Sequence, residues 1–303
     1  MQQTCTCGFT LAGTVKAMDQ GGVNPSAHVK NVAHRSPFRY PGGKTWLAPY
    51  VRRWLSASPK RPELFIELFA GGASVGLTVA AENLADRVVL VEKDPAVAAV
   101  WETIIYGDAE QLAGRILAFT LDENHVSELL NSTPPTTLDV AFHTIVRNRV
   151  ARGGILAPRA GMMRAGENGR GLASRWYPKT LAGRIRAIVP LRDRLEFVCA
   201  DGLDVAAQHV NSTETVLFAD PPYTAGGKNA GSRLYTYFAL DHEKLFTVAQ
   251  AHPGDVLITY DNTAEVSTLA QRHGFTTRAV SMRSTHNATM SELLVGKNLD
   301  WVD

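Results

Sequence analysis

The residues best suited to chemistry are Asp220-Pro221-Pro222-Tyr223, which directly follow the apolar run at 216–219. A residue before proline is held extended, so the carbonyl of Pro221 can be aimed beside the Asp220 carboxylate as a second hydrogen-bond acceptor. Tyr223 adds a flat ring on which an extruded base can stack. A simple proline turn after a buried strand is the alternative interpretation. The combination favours a site that holds an amine during methyl transfer.

A glycine turn follows an earlier apolar run at 64–69. Its sequence is Phe69-Ala70-Gly71-Gly72, with Glu67 two residues before Phe69. Glycine permits backbone conformations and a closeness of approach that a Cβ forbids. The turn lacks the Gly-x-Gly-x-x-Gly pattern that cradles a pyrophosphate, so it suits a ligand with an ammonium and a carboxylate better than a diphosphate. Two glycines placed there only for packing are the alternative.

Further acids end the predicted strands. Glu92 stands 21 residues after Gly71, where an open α/β sheet places the carboxylate that binds ribose hydroxyls. Lys93 lies beside it, and Asp94 either shares this role or caps the next helix. Asp201 either accepts a hydrogen bond from an adenine amine or caps the helix that begins near Leu203. Together these residues predict a nucleoside-containing cofactor.

Strands and helices alternate along the chain. Helices are predicted at 45–55, 75–82 and 96–106, and from about 203. Strands are predicted at 64–69, 87–91, 195–199 and 215–219. This alternation is typical of the α/β class, with a parallel, doubly wound, Rossmann-like sheet.

Charge is distributed unevenly along the 303 residues, whose formal net charge is +2. Residues 147–194 contain twelve Lys or Arg and two acids, a net charge of +10, which leaves −8 for the remainder. Such asymmetry is typical of a polyanion-binding face on an acidic body. A solvated basic surface without a partner is the alternative.

Composition excludes several other classes. The three cysteines cannot form a disulfide framework, and no Cys/His spacing indicates a metal site. No run is long enough for a membrane span, and no secretory signal is recognisable. We therefore expect a cytoplasmic protein without metal or membrane partner. We also expect a monomer or weak dimer.

Four motifs in this order resemble the Dam-type, α-class DNA adenine N6-methyltransferases, in character closest to phage and prophage members. They lie at residues 37–44, 66–72, 90–94 and 220–223, and the resemblance extends over about 36–297. It includes the segment 257–262, after a helix from 241, and a closing strand at 292–295. It implies S-adenosylmethionine as methyl donor and a flipped adenine of double-stranded DNA as acceptor, in a bacterial or phage-infected cell. Tyr40-Pro41 replaces the family's frequent Trp-Ala, and Glu92-Lys93-Asp94 replaces its common Asp-x-Asn. The insertion differs most, so the target sequence does not follow from the resemblance.

The resemblance and the residue patterns together assign the roles. A flexible tail is expected at 1–35, a catalytic domain that binds the cofactor at 36–106 and 195–303, and a mainly helical and loop target-recognition insertion at 107–194. Catalysis is assigned to Asp220, Pro221, Pro222 and Tyr223. Cofactor binding is assigned to Tyr40, Gly42, Gly43, Lys44, Glu67, Phe69, Gly71, Gly72, Glu92, Lys93, Asp201 and Asp220.

DNA contacts are expected mainly from the insertion. The predicted DNA-binding residues are Arg39, Arg147, Asn148, Arg149, Arg152, Arg159, Arg164, Arg170, Arg175, Lys228 and Arg233. Arginines can neutralise phosphates or form bidentate contacts to guanine. The stretch 224–232 is expected to close over the flipped base, with Tyr235 or Tyr237 stacking or packing in the core.

Other acceptors and one other class of protein remain as alternatives. The same motifs suit an RNA adenine N6-methyltransferase. A cytosine-amine enzyme more often has Ser in place of Asp220, and a protein-glutamine enzyme more often has Asn. A non-catalytic nucleic-acid-binding module is the remaining alternative, and the intact tetrapeptide, glycine turn and Glu92 argue against it.

Overall fold

The computed structural model describes residues 32–40, 43–157, 160–164, 166, 169–222, 236–237, 239–283 and 289–302. The strands are β1 Leu64–Glu67, β2 Arg87–Glu92, β3 Leu195–Cys199, β4 Thr215–Ala219, β5 Val256–Asp261, β6 Thr276–Arg283 and β7 Thr289–Gly296. The helices are α1 Ala48–Ala57, α2 Ser74–Ala81, α3 Pro95–Ile105, α4 Ala109–Ala118, α5 Glu123–Asn131, α6 Thr137–Val150, α7 Pro178–Ile188, α8 Gly202–Gln208, α9 His242–Ala251 and α10 Ala264–Arg272. Short 3₁₀ helices occur at Lys44–Leu47, Arg152–Gly154, Gly171–Arg175, Val189–Arg194 and Asp300–Val302.

The strands form one seven-stranded sheet in the order β3-β2-β1-β4-β5-β7-β6. This confirms the predicted α/β class with a doubly wound, Rossmann-like sheet. The sheet is nevertheless mixed, because β7 runs antiparallel to both β5 and β6. Only five residues separate β6 from β7, too few for the crossover that a parallel pair requires.

The strand order reverses between β1 and β4, which pair in parallel at the centre of the sheet. From β1 the chain winds outward through β2 to β3 on one side, and from β4 it continues to β5 on the other. A reversal of this kind opens a crevice at the carboxyl ends of the strands, where ligands bind in open α/β sheets. Asp220 and the glycine turn follow β4 and β1, and Glu92 is the last residue of β2, so all three lie at this edge.

Hydrophobic layers cover both faces of the sheet. Phe65 and Phe218 stack on one face, with ring centroids 6.3 Å apart, and Trp101 of α3 lies in the same layer. Ile66 and Leu217 point into the opposite layer. Burial on both faces explains why these central parallel strands read as continuous apolar runs.

The segment 107–194 contains helices α4 to α7, in agreement with the helical content predicted for it. Helix α6 packs against α3, and α4 packs against α7. Ile145 of α6 and Ile185 of α7 are fully buried in the layer that contains Trp101. The segment thus shares its core with one side of the sheet, and its status as a separate recognition domain stays a prediction.

Candidate active site at the carboxyl edge of the sheet

Asp220 stands directly after β4, at the centre of the crevice. Its Oδ1 accepts a hydrogen bond from Thr259 Oγ1 at 2.8 Å and lies 3.0 Å from Lys44 Nζ. Thr259 belongs to β5 and Lys44 begins the 3₁₀ helix before α1, so two separate elements hold one carboxylate oxygen. Pro221 and Pro222 continue from it, whereas Tyr223 lies outside the described residues. The Asp220 side chain is thereby fixed at the strand end.

Lys44 is almost completely buried, with 3% of its surface exposed. Its Nζ also lies 3.4 Å from Glu292 Oε1, so that it bridges two carboxylates. Burial alone would lower the pKa of Lys44, but Asp220 and Glu292 together raise it above its ordinary value. Lys44 therefore carries its charge inside the protein and is placed to orient Asp220.

Glu292 of β7 is a site residue that the sequence reading missed. Burial raises its pKa to about 7; Lys44 opposes this shift, and the charges of Asp220 and Asp261 add to it. Its Oε2 is buried without a hydrogen-bond partner among the described residues. The sequence signal that could have identified Glu292 is a charged residue directly before the apolar residues Leu293-Leu294-Val295 of a strand.

Glu67 ends β1 and is also buried. Its Oε2 accepts a hydrogen bond from Gly76 N at 2.7 Å, and the Val75 backbone also donates to the carboxylate. Burial raises the pKa of Glu67 to about 8 against the effect of these hydrogen bonds. The first residues of α2 otherwise receive no side-chain cap from Ala73, so Glu67 serves as the acceptor for that helix end. Its contact with a cofactor stays a prediction.

The glycine turn lies under an aromatic ring. Gly71 has φ +46°, and a Cβ there would lie 3.0 Å from Cε1 of Tyr40. The Gly71 carbonyl accepts from Trp101 Nε1 at 2.9 Å, and its N–H donates to Glu92 Oε2 at 2.8 Å. A Cβ on Gly72 would lie 3.2 Å from Ser36 Oγ. The turn thus contacts both Tyr40 and Glu92, and the cofactor role predicted for these residues stays a prediction.

The other residues of the first motif and of the turn are placed nearby. Gly43 N donates to the carbonyl of Tyr40 at 3.2 Å, while Gly42 lies outside the described residues. Phe69 is partly buried and packs against the layer around Ile66. These contacts do not test a cofactor role, which stays a prediction for each of these residues.

Glu92 is fixed by three backbone N–H groups. Besides Gly71, its Oε1 accepts from Lys93 N and from Asp94 N, both at 2.8 Å. Asp94 itself accepts from Ala96 N at 2.9 Å and caps α3, as the alternative interpretation of that residue proposed. Glu92 is therefore the acid held in place at the end of β2.

Asp201 has two partners. Its Oδ1 accepts from Leu203 N at 3.0 Å, capping α8, and its Oδ2 lies 2.8 Å from Lys93 Nζ. The helix-cap alternative is confirmed, and a contact with adenine stays a prediction. Lys93 also lies over the ring of Tyr237, 6.0 Å from its centroid.

Acidic side chains outnumber Lys44 at this edge. Glu67, Asp220, Asp261 and Glu292 influence one another's pKa values, and Glu67, with a pKa of about 8, is mostly protonated at neutral pH. Such a site favours a ligand with positive charge. Within the described ranges, no group of three or more His, Cys, Asp or Glu residues could hold a metal ion.

Two of the expected DNA-binding residues, Asn148 and Arg149, are buried against the protein's own backbone, and a DNA contact for either stays a prediction. Asn148 is completely buried: its Oδ1 accepts from Arg39 N, and its Nδ2 donates to the carbonyls of Arg39 and Gly154. Arg149 is 6% exposed and donates to the carbonyl of Pro37. Both polar ends of Asn148 and one side of the Arg149 guanidinium thus bind the protein's own backbone, because α6 packs beneath the segment 36–39.

The remaining expected DNA-binding residues are distributed over the surface. Arg152, Arg164 and Arg170 are exposed, whereas Arg39, Arg147 and Arg175 are half-buried. Arg170 lies over the exposed ring of Tyr177, 5.6 Å from its centroid. Arg159, Lys228, Arg233, the stretch 224–232 and Tyr235 lie outside the described residues. A role for these arginines in DNA binding stays a prediction.

Comparisons with known proteins give overall likenesses of fold. No protein-family model matches the chain. No curated protein matches it in sequence. The rRNA methyltransferase aviRa of Streptomyces viridochromogenes is 15% identical with a TM-score of 0.37, covering 85% of this chain and 86% of its own. A Pyrococcus horikoshii protein assigned as an RNA methyltransferase is 11% identical with a TM-score of 0.39, covering 90% and 94%.

A third structure with this likeness is the spermidine synthase of Thermotoga maritima, 11% identical with a TM-score of 0.36 over 90% of this chain and 60% of its own. Functions carried by one fold differ, so the activity has to be argued from the site. In the described part of the chain, no helix has both the length and the apolarity to span a bilayer.

Proposed function

We propose that this protein is a site-specific DNA methyltransferase that transfers a methyl group from S-adenosylmethionine to the N6 amine of a flipped adenine. The observation that carries the proposal is the fixed carboxylate of Asp220. Lys44 and Thr259 hold it at the end of β4, beside the point where the strand order reverses, and two prolines follow it.

Asp220 supplies one of two hydrogen-bond acceptors for the amine. The Pro221 carbonyl is the second, since the proline that follows restricts the backbone of Pro221 to an extended conformation. Two acceptors favour a pyramidal nitrogen and stabilise the positive charge that develops on it. Asp220 does not need to be a strong base, because the amine proton can leave to water after the transfer.

The residues at the crevice fit the cofactor. S-Adenosylmethionine supplies an electrophilic methyl group on a sulfonium centre, so placement of the amine in line with it is the main requirement. Glu92 would bind the ribose hydroxyls, and the Gly71 turn with Tyr40 would lie against the methionine part. The excess of carboxylates around Lys44 suits a ligand that carries a sulfonium and an ammonium group.

Two features favour adenine in a nucleic acid as the acceptor. Residues 147–194 carry a net charge of +10, which suits a polyphosphate backbone better than a protein. Asp rather than Ser or Asn begins the tetrapeptide, as in the adenine enzymes that the chain resembles. Adenine in duplex DNA is the acceptor that combines both features.

A transfer assay with radiolabelled S-adenosylmethionine tests the proposal. Duplex DNA, structured RNA and buffer alone are offered as acceptors, and labelled products are digested to nucleosides. We expect N6-methyladenine from DNA. Label in RNA, in cytosine or in the protein fraction would contradict the proposed acceptor.

Asp220→Asn is the matched test of the site. It keeps the shape of the side chain but removes the charge, so we expect turnover to fall at least about a hundredfold, the usual cost of losing one such electrostatic group. Asp204→Asn is the control, since Asp204 is exposed on α8. Cofactor binding should persist in both variants, and near-normal turnover of Asp220→Asn would refute the assignment.

A further inference from the structure

Two buried or half-buried arginines hold the chain segment that leads into the active site. Arg149 of α6 donates to the carbonyl of Pro37, and Arg184 of α7 donates from Nη1 to the carbonyl of Ser36 at 3.1 Å. Arg39 belongs to the segment itself, and Asn148 fixes its backbone N–H and carbonyl at 2.8 Å each. The guanidinium groups of Arg149 and Arg184 thus bind the backbone of this segment, and the charges of Arg184 and Arg39 both act on Arg149.

No carboxylate pairs with these arginines among the described residues, in contrast to several other arginines of the molecule. Arg52, Arg115 and Arg186 each form an ion pair, with Glu82, Asp139 and Glu110 respectively. No acid lies within ion-pair distance of Arg39, Arg149 or Arg184 among the residues that the structure describes. Their positive charge is therefore not neutralised there by a neighbouring acid.

The electrostatic cost is concentrated on Arg149. Burial, together with the charges of Arg184, Arg39 and Arg175, lowers the pKa of Arg149 to about 10. Its Nε is buried and has no hydrogen-bond partner within the described ranges. An uncompensated buried charge is strongly unfavourable, so an anion bound at the half-exposed Arg39 and Arg184 would offset part of this cost.

The cluster is next to the proposed active site. Arg39 immediately precedes Tyr40, whose ring covers Gly71, and Ser36 lies against Gly72. A ligand group bound by Arg39 and Arg184 is therefore connected to the glycine turn through a few residues of one segment. Planar guanidinium groups match the geometry of phosphate oxygens, and phosphate contacts fix the register of a nucleic acid on a protein.

We propose that Arg39 and Arg184, with Arg149 beneath them, bind one backbone phosphodiester of the nucleic acid that carries the target base. The identity of the polymer rests on the proposed function, whereas the phosphate contact is independent of methyl transfer. The contact places the strand beside the crevice into which the target base would turn.

The experiment measures binding of a fluorescent DNA duplex to the full chain over a series of salt concentrations. For Arg184→Gln we expect affinity to fall about tenfold, because a charge-assisted hydrogen bond is lost. The slope of log K against log salt should decrease by about one, as for the loss of one phosphate contact. Glutamine is two bonds shorter than arginine and does not keep the contact with the Ser36 carbonyl, so the thermal stability of each variant is measured alongside. Arg39→Gln is expected to act in the same way.

Arg186→Gln is the matched control, since Arg186 lies on the same helix and is paired with Glu110. It should leave both affinity and salt slope close to those of the unchanged protein. If Arg184→Gln and Arg39→Gln lower thermal stability but leave the slope unchanged, the arginines only anchor the segment and the inference is wrong. Failure of all variants and of the unchanged protein to bind DNA, with methyl transfer to another acceptor, would instead refute the proposed substrate.

Discussion

Two neighbouring regions of this molecule bury charge in opposite ways. At the carboxyl edge of the sheet, the ammonium of Lys44 lies between the carboxylates of Asp220 and Glu292. In the arginine cluster, formed by Arg39, Arg149 and Arg184, the buried guanidinium of Arg149 binds a backbone carbonyl instead of an acid. The first region keeps negative charge in excess, and the second keeps positive charge in excess.

The difference indicates which partner each region suits. An acidic crevice favours a cationic ligand such as a sulfonium, whereas an arginine cluster without acids favours a phosphate. The segment from Ser36 to Lys44 connects the two, because Arg39 belongs to one and Lys44 to the other. The comparison can be tested by removing one charge at a time from the acidic crevice or from the arginine cluster.

Removal of the lysine should have the largest effect. Lys44→Met leaves the partly buried Asp220 carboxylate without its cation and lets Glu292 take up a proton, because Lys44 no longer holds its pKa down, so we expect a loss of about 3–5 kcal/mol in the free energy of unfolding at pH 7.5. Methyl transfer should be lost as well, because Asp220 is no longer oriented. Urea unfolding monitored by fluorescence gives the free energy.

Lys60→Met is the control for that change. Lys60 is 84% exposed and lies 3.7 Å from Glu214, a surface pair whose removal should cost less than about 1 kcal/mol. If Lys44→Met unfolds with a free energy within about 1 kcal/mol of the Lys60→Met value, Lys44 does not compensate the two carboxylates.

Glu292 should give the next largest effect, and its sign depends on pH. Its folded pKa of about 7 lies above the usual value of 4.5, so the folded state binds more protons between these values. Stability must then fall as pH rises from about 4.5 to about 7. Glu292→Gln removes this dependence: relative to the unchanged protein it should gain up to about 3 kcal/mol between pH 5 and pH 8.

Unfolding titrations at pH 5, 6, 7 and 8 check this expectation. Glu196→Gln is a suitable control, because Glu196 is exposed and pairs with Arg87 on the surface. Glu67, whose pKa is raised to about 8, should keep a residual slope in both variants. Parallel pH profiles for Glu292→Gln and the unchanged protein would show that Glu292 does not carry the proton.

The fold and half of the acidic site were predictable from sequence for a local reason. Apolar runs end in Glu67, Glu92 and Asp220, and parallel strands deliver such residues to one edge. Glu292 was missed because β7 runs antiparallel, which brings the start of that strand to the same edge. The role of Asn148 was missed because its partner Arg39 is 109 residues away, and no local pattern shows such a contact.

A substitution in the glycine turn, which lies between the two regions, should have a smaller effect on stability. Gly71 has φ +46°, so Gly71→Ala should cost about 1–2 kcal/mol from the left-handed backbone, and its Cβ would press on the ring of Tyr40. Cofactor affinity should fall with it. A Cβ added to Gly114 of α4 would meet no atom within 4 Å, so Gly114→Ala should stabilise by up to about 1 kcal/mol. Equal unfolding midpoints for the two variants would contradict the proposed strain.

Substitution of Asp201 should have the smallest effect. It distinguishes an acid that only caps a helix from an acid that also binds a ligand at this edge. Asparagine caps helices as well as aspartate does, and the Lys93 pair is exposed, so Asp201→Asn should change the unfolding free energy by less than about 0.5 kcal/mol. Asp201→Ala should cost about 1 kcal/mol through the lost cap. If the carboxylate only caps α8, calorimetric affinity for S-adenosylmethionine stays unchanged in Asp201→Asn. A tenfold loss of affinity at unchanged stability would instead place Asp201 against the adenine. Asp201 would then contact the ligand in addition to its present hydrogen bonds within the protein.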